Sequence, residues 1–397
     1  MHRRSFRRTA TLAATLLGVA LTGCASSADL PPSLAGPSAT GHVEHVVAAT
    51  AKAPTVVPLR SGERFLDMAM PAAYTPSSPT PTGHDDYRCF LLDPKLTKRV
   101  LVDGVDIVPG NPKVVHHVIV FKVAKADVAG AEAADAATPG PGWTCFGDAG
   151  ISRGGPGTTL DNAPWVGAWA PGGGERVLPH GVGIPLDPGT QIVMQVHYNL
   201  LVGTGPDTSR ARLRVSVPSA TSQALDTMLL PASVELPCRS AAGSSGLCNR
   251  TLAVADVRKR FGEKVATADL LHLLCGPVLP GPTQSCTRTL SQTGMIRAVA
   301  GHMHLLGRSI SVVLDKGKTS EQTVLDIPVW NFDDQASTPL PKPVAVKPGD
   351  TLTVSCTHDQ SIRDALPSFK AQPERYVVWG EGTTDEMCLG IVLWTRS

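Results

Sequence analysis

Aromatic side chains make up only 5% of these 397 residues, and no surplus of one charge exists, with 36 Lys and Arg set against 34 Asp and Glu. The near-balance excludes an electrostatic footprint for nucleic acid, which needs clustered cations to neutralise phosphates. None of the nine cysteines forms a CxxC pair, which withdraws support for zinc ribbons and thioredoxin-type redox motifs. Long apolar runs are missing beyond residue 22, so no later segment reads as a membrane span. The one early run, near residues 10–22, is itself too short for an ordinary transmembrane helix.

That run follows the basic stretch Met1-His2-Arg3-Arg4-Ser5-Phe6-Arg7-Arg8 and closes on Leu21-Thr22-Gly23-Cys24. The pattern is that of a bacterial lipoprotein signal, residues 1–23, with lipid added at Cys24. A plain secretory signal with an incidental cysteine is the alternative. Arg3-Arg4-Ser5-Phe6 also matches a twin-arginine export signal, over four residues only. Removing residues 1–23 deletes Arg3, Arg4, Arg7 and Arg8 and no acid, which turns a formal charge of +2 into about −2. The expected location is the cell envelope, anchored by lipid on the periplasmic face or outer membrane; Ala25 after Cys24, rather than Asp, favours the outer membrane. Cys89, Cys145, Cys238, Cys248, Cys275, Cys286, Cys356 and Cys388 then remain, an even set that reads as disulfides in an oxidising compartment.

The remaining chain is too long for one core and suggests two domains. Residues 24–61, rich in Ala, Ser, Pro, Thr and Val without a period, read as a flexible tether. Short apolar runs broken by Gly, Pro and Asp follow, at 113–123, 190–201, 211–217, 295–314, 323–330, 351–356, 376–379 and 388–394. These read as strands, the longest as two strands and a turn. Only residues 255–274 show helical spacing, through Val257, Phe261, Val265 and Leu270. Residues 124–142 and 147–189 read as surface loops. A break near residues 218–221 divides the body into 62–218 and 219–397. The fold class expected is all-β, as antiparallel sandwiches.

Histidines and one methionine carry the chemistry. His116-His117 lies inside an apolar run, where adjacent strand residues point to opposite faces. Two neighbours share a metal only if the strand is irregular or the rings use different nitrogens, so the doublet alone reads as structural. His197 sits in an alternating strand with Gln195 on its face, and a lone strand histidine is usually a satisfied polar residue. His302 and His304, at i and i+2, project from one strand face and make an ordinary metal grip. Met387 alone is most simply a core residue, although a thioether favours Cu(I) among common protein metals. His42, His45, His84, His180, His272 and His358 show no comparable clustering and read as surface or structural. Spacing alone reaches only an exported, disulfide-bonded, β-rich and metal-binding protein.

In order, Tyr87-Arg88-Cys89, His116-His117-Val118-Ile119-Val120-Phe121, Gln195-Val196-His197-Tyr198, Gly301-His302-Met303-His304-Leu305-Leu306-Gly307 and Asp385-Glu386-Met387-Cys388 form a series. It resembles the copper type II, ascorbate-dependent monooxygenases, the family of peptidylglycine α-hydroxylating monooxygenase and dopamine β-monooxygenase, over roughly residues 62–397. The resemblance implies two antiparallel jelly-roll-type β-sandwiches facing each other across a solvent-filled cleft, each with one copper. It assigns His116, His117 and His197 to a three-histidine copper site that stores and passes an electron. It assigns His302, His304 and Met387 to the oxygen-activating copper. Ascorbate or another one-electron donor is the implied co-substrate, beside O2 and a small-molecule substrate. Tyr87 and Gln195 match positions flanking the first site, with ordinary strand packing as the alternative. Disulfides Cys89–Cys145 and Cys356–Cys388 are implied, the second buttressing the methionine. Cys238, Cys248, Cys275 and Cys286 match no family pairing, allow three connectivities, and bracket 255–274, which reads as a helical insertion in the second domain.

The resemblance breaks on the substrate side. The peptide-amidating branch holds a peptide carboxylate with an arginine where this chain has Ala300, and its asparagine and tyrosine become Leu389 and Ile391. Alanine and leucine cannot replace a bidentate guanidinium. C-terminal glycine peptides are therefore unexpected substrates unless Arg297 or Arg308 reaches over, and a more apolar pocket is implied. Two other classes compete with a monooxygenase: a non-catalytic copper-buffering lipoprotein, and a zinc hydrolase built on the histidines alone. The hydrolase leaves Met387 unexplained and finds no acidic partner beside the histidine motifs.

Overall fold

The computed structural model describes residues 57–396 apart from 79–82, 152–159, 171–172, 202, 241–245, 264, 333, 336 and 371. The signal segment, Cys24 and nearly all of the tether lie outside the described residues. Alternating Val, Ile, Leu and Thr, which pack well on a pleated surface, form the strands. In chain order the first ten are β1 (Arg64–Ala69), β2 (Asp85–Leu92), β3 (Val100–Val108), β4 (Val115–Val123), β5 (Trp143–Thr144), β6 (Trp165–Trp169), β7 (Arg176–Val177), β8 (Val182–Leu186), β9 (Gln191–Asn199) and β10 (Arg210–Ser216). Ten more are β11 (Gln223–Pro231), β12 (Glu235–Leu236), β13 (Thr283–Thr289), β14 (Gly294–His302), β15 (Gly307–Leu314), β16 (Gln322–Ile327), β17 (Thr338–Val346), β18 (Thr351–His358), β19 (Val377–Val378) and β20 (Leu389–Arg396).

The sheet β5-β2-β9-β4-β6 packs on β1-β10-β3-β8 over a core that includes Phe90, Val118, Met194 and Leu213. The sheet β13-β18-β15-β16 packs on β11-β20-β14-β17 over a second core that includes Ile296, Val312, Val354 and Val392. The protein is thus all-β, built of sandwiches. Burying each such side chain contributes roughly 1.5–3 kcal/mol before the entropy cost of ordering it. The sandwiches are not separate sheets, however. β8 and β11 pair in parallel through Val182–Gln223 and Gly183–Ala224, which fuses two of the layers into one nine-stranded sheet.

Three expectations change. The stretch 255–274 is two helices, Arg250–Phe261 and Thr267–Cys275, because Gly262 adopts φ 64° and terminates the first. Residues 124–142 contain a helix, Val128–Ala136, that buries only Ala131. Its alanines favour a helix without supplying the apolar period that would reveal one. The stretch 147–189 carries β6, β7 and β8, with Val118 opposite Trp169 holding β6 to the sheet. Among the described residues four disulfides form: Cys89–Cys145, Cys356–Cys388, Cys238–Cys248 and Cys275–Cys286. The last two pin the ends of the helical insertion. Among the described residues no helix is long and apolar enough to cross a membrane.

Candidate metal centre

His116 and His117 face the same way because β4 is not a regular strand. Val115 pairs with Tyr198 and His117 pairs with His197, so His116 is one extra residue, a β-bulge. The bulge removes the geometric objection to adjacent ligands. Nδ1 of His116 lies 3.1 Å from Nδ1 of His117 and 3.2 Å from Nδ1 of His197, and the third edge is 3.2 Å. Three ring nitrogens converging in one triangle cannot all be satisfied by the protons they carry. They suit a shared cation instead, since neutral imidazole nitrogen is a copper and zinc ligand. Burial, with the other histidines adding to it, holds His117 well below its ordinary pKa and so in the neutral, ligating form.

Neighbours fix the rings. His197 stacks on Tyr87 with ring centres 4.1 Å apart, and its Nε2 lies 2.8 Å from Oδ1 of Asp85. Burial opposes ionisation of Asp85, but His197 and Thr383 outweigh it and hold the carboxyl below its ordinary value. A carboxylate behind a ligating ring sets its tautomer and raises its basicity. His116 stacks on Phe332, 4.5 Å between centres, from the second sandwich. Gln195 is not brought to the ligands: its amide contacts Cys145 Sγ at 3.5 Å and donates to the Asp148 carbonyl at 3.4 Å.

His302 ends β14, and His304 lies in the turn that follows. Their ring centres are 5.1 Å apart and nearly perpendicular. Nδ1 of His302 is 2.6 Å from Gln335 Oε1, and Nδ1 of His304 is 3.3 Å from the Asp385 carbonyl, which leaves both Nε2 atoms for a ligand. Burial, reinforced by His304, pushes His302 down to about 3; burial likewise lowers His304. Met387 is buried, and its backbone is tied to the histidine turn through Glu386. That carboxylate, fully buried, accepts from the backbone amides of His304 at 3.0 Å, Leu306 at 2.6 Å and Met387 at 3.2 Å. His358 completes the arrangement, with Nε2 at 3.3 Å from Glu386 and 3.2 Å from the Met387 carbonyl.

The resemblance implies an open, solvent-filled gap between the two sets. Here the rings of His117 and His302 instead meet edge to face, 6.1 Å between centres. Sequence reasoning missed Asp85, Phe332, Gln335, Thr383 and Glu386, and the acidic partners it found wanting are Asp85 and Glu386. The converging ring nitrogens of His116, His117 and His197 fit a copper ion, and the imidazoles of His302 and His304 with the soft thioether of Met387 are side-chain types that copper takes.

Of the two arginines considered for a carboxylate, Arg297 is engaged by Gln223 and Thr395, and Arg308 lies 3.9 Å from Asp359. Ala300 pairs across strands with Ile391, and His302 with Leu389, so all three apolar residues share the sheet face of His302.

The model of the N-terminal domain of copper type II ascorbate-dependent monooxygenases matches residues 72–202, and that of the C-terminal domain matches 282–396. The mouse (Mus musculus) DBH-like monooxygenase protein 2 is 34% identical over 94 residues, which is 24% of this chain and 14% of the mouse protein. A human DBH-like relative is 31% identical over 88 residues, 22% of this chain and 16% of its own length. The major capsid protein P2 of bacteriophage PM2 aligns with 84% of this chain and 97% of its own at 9% identity, and a TM-score of 0.30 carries no argument.

Proposed function

The chain belongs to the copper type II ascorbate-dependent monooxygenases, and from that premise we propose that it hydroxylates a C–H bond of a small organic substrate with O2 and a one-electron reductant such as ascorbate. One copper is held by His116, His117 and His197, a second by His302, His304 and Met387. The convergence of three Nδ1 atoms within 3.1–3.2 Å carries this reading. Bound copper would supply one-electron redox chemistry, which matches the single electrons that ascorbate gives, and activation of O2, which hydroxylation of an activated C–H bond requires.

The protein's own residues bind and orient. The three Nδ1 atoms are presented together by the bulge, Asp85 fixes the His197 ring, and Tyr87 and Phe332 cover two of the rings. Gln335 and the Asp385 carbonyl turn the Nε2 atoms of His302 and His304 outward. Glu386 holds the methionine segment against the histidine turn. Ala300, Leu389 and Ile391 support an apolar substrate over a carboxylate-bearing peptide, because a guanidinium fork is what a carboxylate needs there.

Copper-loaded protein should consume O2 with ascorbate in a substrate-dependent way across a small-molecule panel, and Met387→Ile should abolish this. Unchanged turnover in Met387→Ile would sink the assignment of the oxygen-activating site. Tight binding of two coppers without O2 consumption would instead mark a storage protein. Lipidation at Cys24 in the cell envelope belongs to the same proposal, and loss of radiolabelled palmitate incorporation in Cys24→Ser checks it.

A further inference from the structure

One short segment, residues 380–386, touches both donor sets. At its middle Thr383, 2% exposed, donates through Oγ1 to Oδ1 of Asp85, and its amide donates to Oδ2 at 3.3 Å. Asp85 is the carboxylate behind His197. Beside it the Tyr87 hydroxyl, whose ring stacks on His197, donates to the Glu381 carbonyl. At its end the Asp385 carbonyl meets His304 Nδ1, and Glu386 gathers the amides of His304, Leu306 and Met387.

Little slack separates these contacts. The Asp385 carboxylate is clamped by Arg260 at 2.6 and 2.7 Å and accepts from the Gly382 amide at 3.1 Å. A Cβ at Gly380 or Gly382 would come within 2.9 Å of the Asp385 side chain, so any side chain there would have to push the clamped carboxylate aside. Displacement at Thr383 is therefore passed on toward His304 and Met387 rather than absorbed.

We propose that this segment couples the two donor sets, with Thr383 as the positioning residue that links occupancy of the three-histidine set to the geometry of the His302, His304 and Met387 set. The proposal rests on the ligand assignment above. Coupling through binding free energy is reciprocal: filling either set changes the affinity of the other by one factor. That factor is expected at about 5-fold or more, the low end of measured couplings.

The test is a Cu(I) titration of the full chain against a competing chelator. The affinity of the methionine set is read twice: as the second step in the unmodified protein, and in His116→Ala with the three-histidine set disabled. Their ratio is the coupling factor. It should fall to about 1 in a Thr383→Val background and return in Thr383→Ser, while thermal unfolding of the metal-free variants reports any general loss of fold. A merely structural threonine would weaken both sets alike and leave the ratio unchanged. A ratio of about 1 in the unmodified protein, or one unaltered by Thr383→Val, overturns the proposal. Thr383→Ala gives the same readout if the valine variant does not fold. Binding of fewer than two coppers by the unmodified chain would instead overturn the ligand assignment.

Discussion

Nε2 of His197 stands 2.8 Å from Oδ1 of Asp85, while Nδ1 of the same ring is turned to His116 and His117 at 3.2 Å. One nitrogen is thereby committed to a carboxylate and the other to the ligand triangle. Asp85→Asn keeps the shape and loses the charge. It should weaken copper at the three-histidine set about 10–100-fold, the usual effect of removing such a partner. A chelator-competition titration checks this, and an unchanged affinity would show that Asp85 is only a link between the sandwiches.

The bulge at His116 is a property of the backbone, so His116→Ala should preserve the fold while removing a ligand. Metal analysis should lose one copper per chain relative to the unmodified protein. The midpoint of thermal unfolding of the metal-free form should move by only a few degrees, about what 1 kcal/mol produces in a protein of this size. Retention of the full copper content would refute the triangle as a ligand set.

Glu386 is fully buried and ionised: burial resists the charge, but His358 and the contacts from His304 hold the carboxyl below its ordinary value. In Glu386→Gln the amide nitrogen would face donors where an acceptor is needed. Breaking a buried charged network from one side should cost about 3 kcal/mol, read by urea unfolding of the metal-free protein. A cost below roughly 1 kcal/mol would mean the donors find other partners.

Glu381 titrates the other way. Burial first, then Glu263 and Asp148, push its carboxyl up to about 8. In the unfolded chain an ordinary glutamate ionises near 4.3. Between those values the folded protein holds a proton that the unfolded chain has released, so the Glu381 contribution to stability falls as pH rises through that window. Glu381→Gln removes the dependence. Its unfolding midpoint should match the unmodified protein at pH 4 and exceed it at pH 8; parallel pH profiles would contradict the elevated carboxyl.

Much of this was legible in the residues, and the rest fails for identifiable reasons. Alternation and turn residues gave the strands; β14 and β15 read as two strands and a turn because Gly307 interrupts the apolar run. The histidine doublet looked structural because a bulge leaves no mark in side-chain pattern, only in pairing register. Asp85 was within reach: Tyr87 lies directly opposite His197, and Asp85 shares its face two residues earlier. Thr383 and Glu386 carried no such signal, since their partners are 298 and 80–82 residues away in the chain. The helical insertion was seen as one helix because Val265 and Leu270 keep its apolar period across the break that Gly262 imposes.

The parallel rungs between β8 and β11 govern what happens if the chain is divided. If a protease cut or a gene split near residue 220 let the two halves separate, the two rungs that β8 and β11 share would be lost and their amides and carbonyls left unpaired at an edge of each fragment. Such edges recruit other chains. The fragments would therefore fare badly when expressed alone and should recover each other when co-expressed, behaving as a complementing pair rather than as two independent modules.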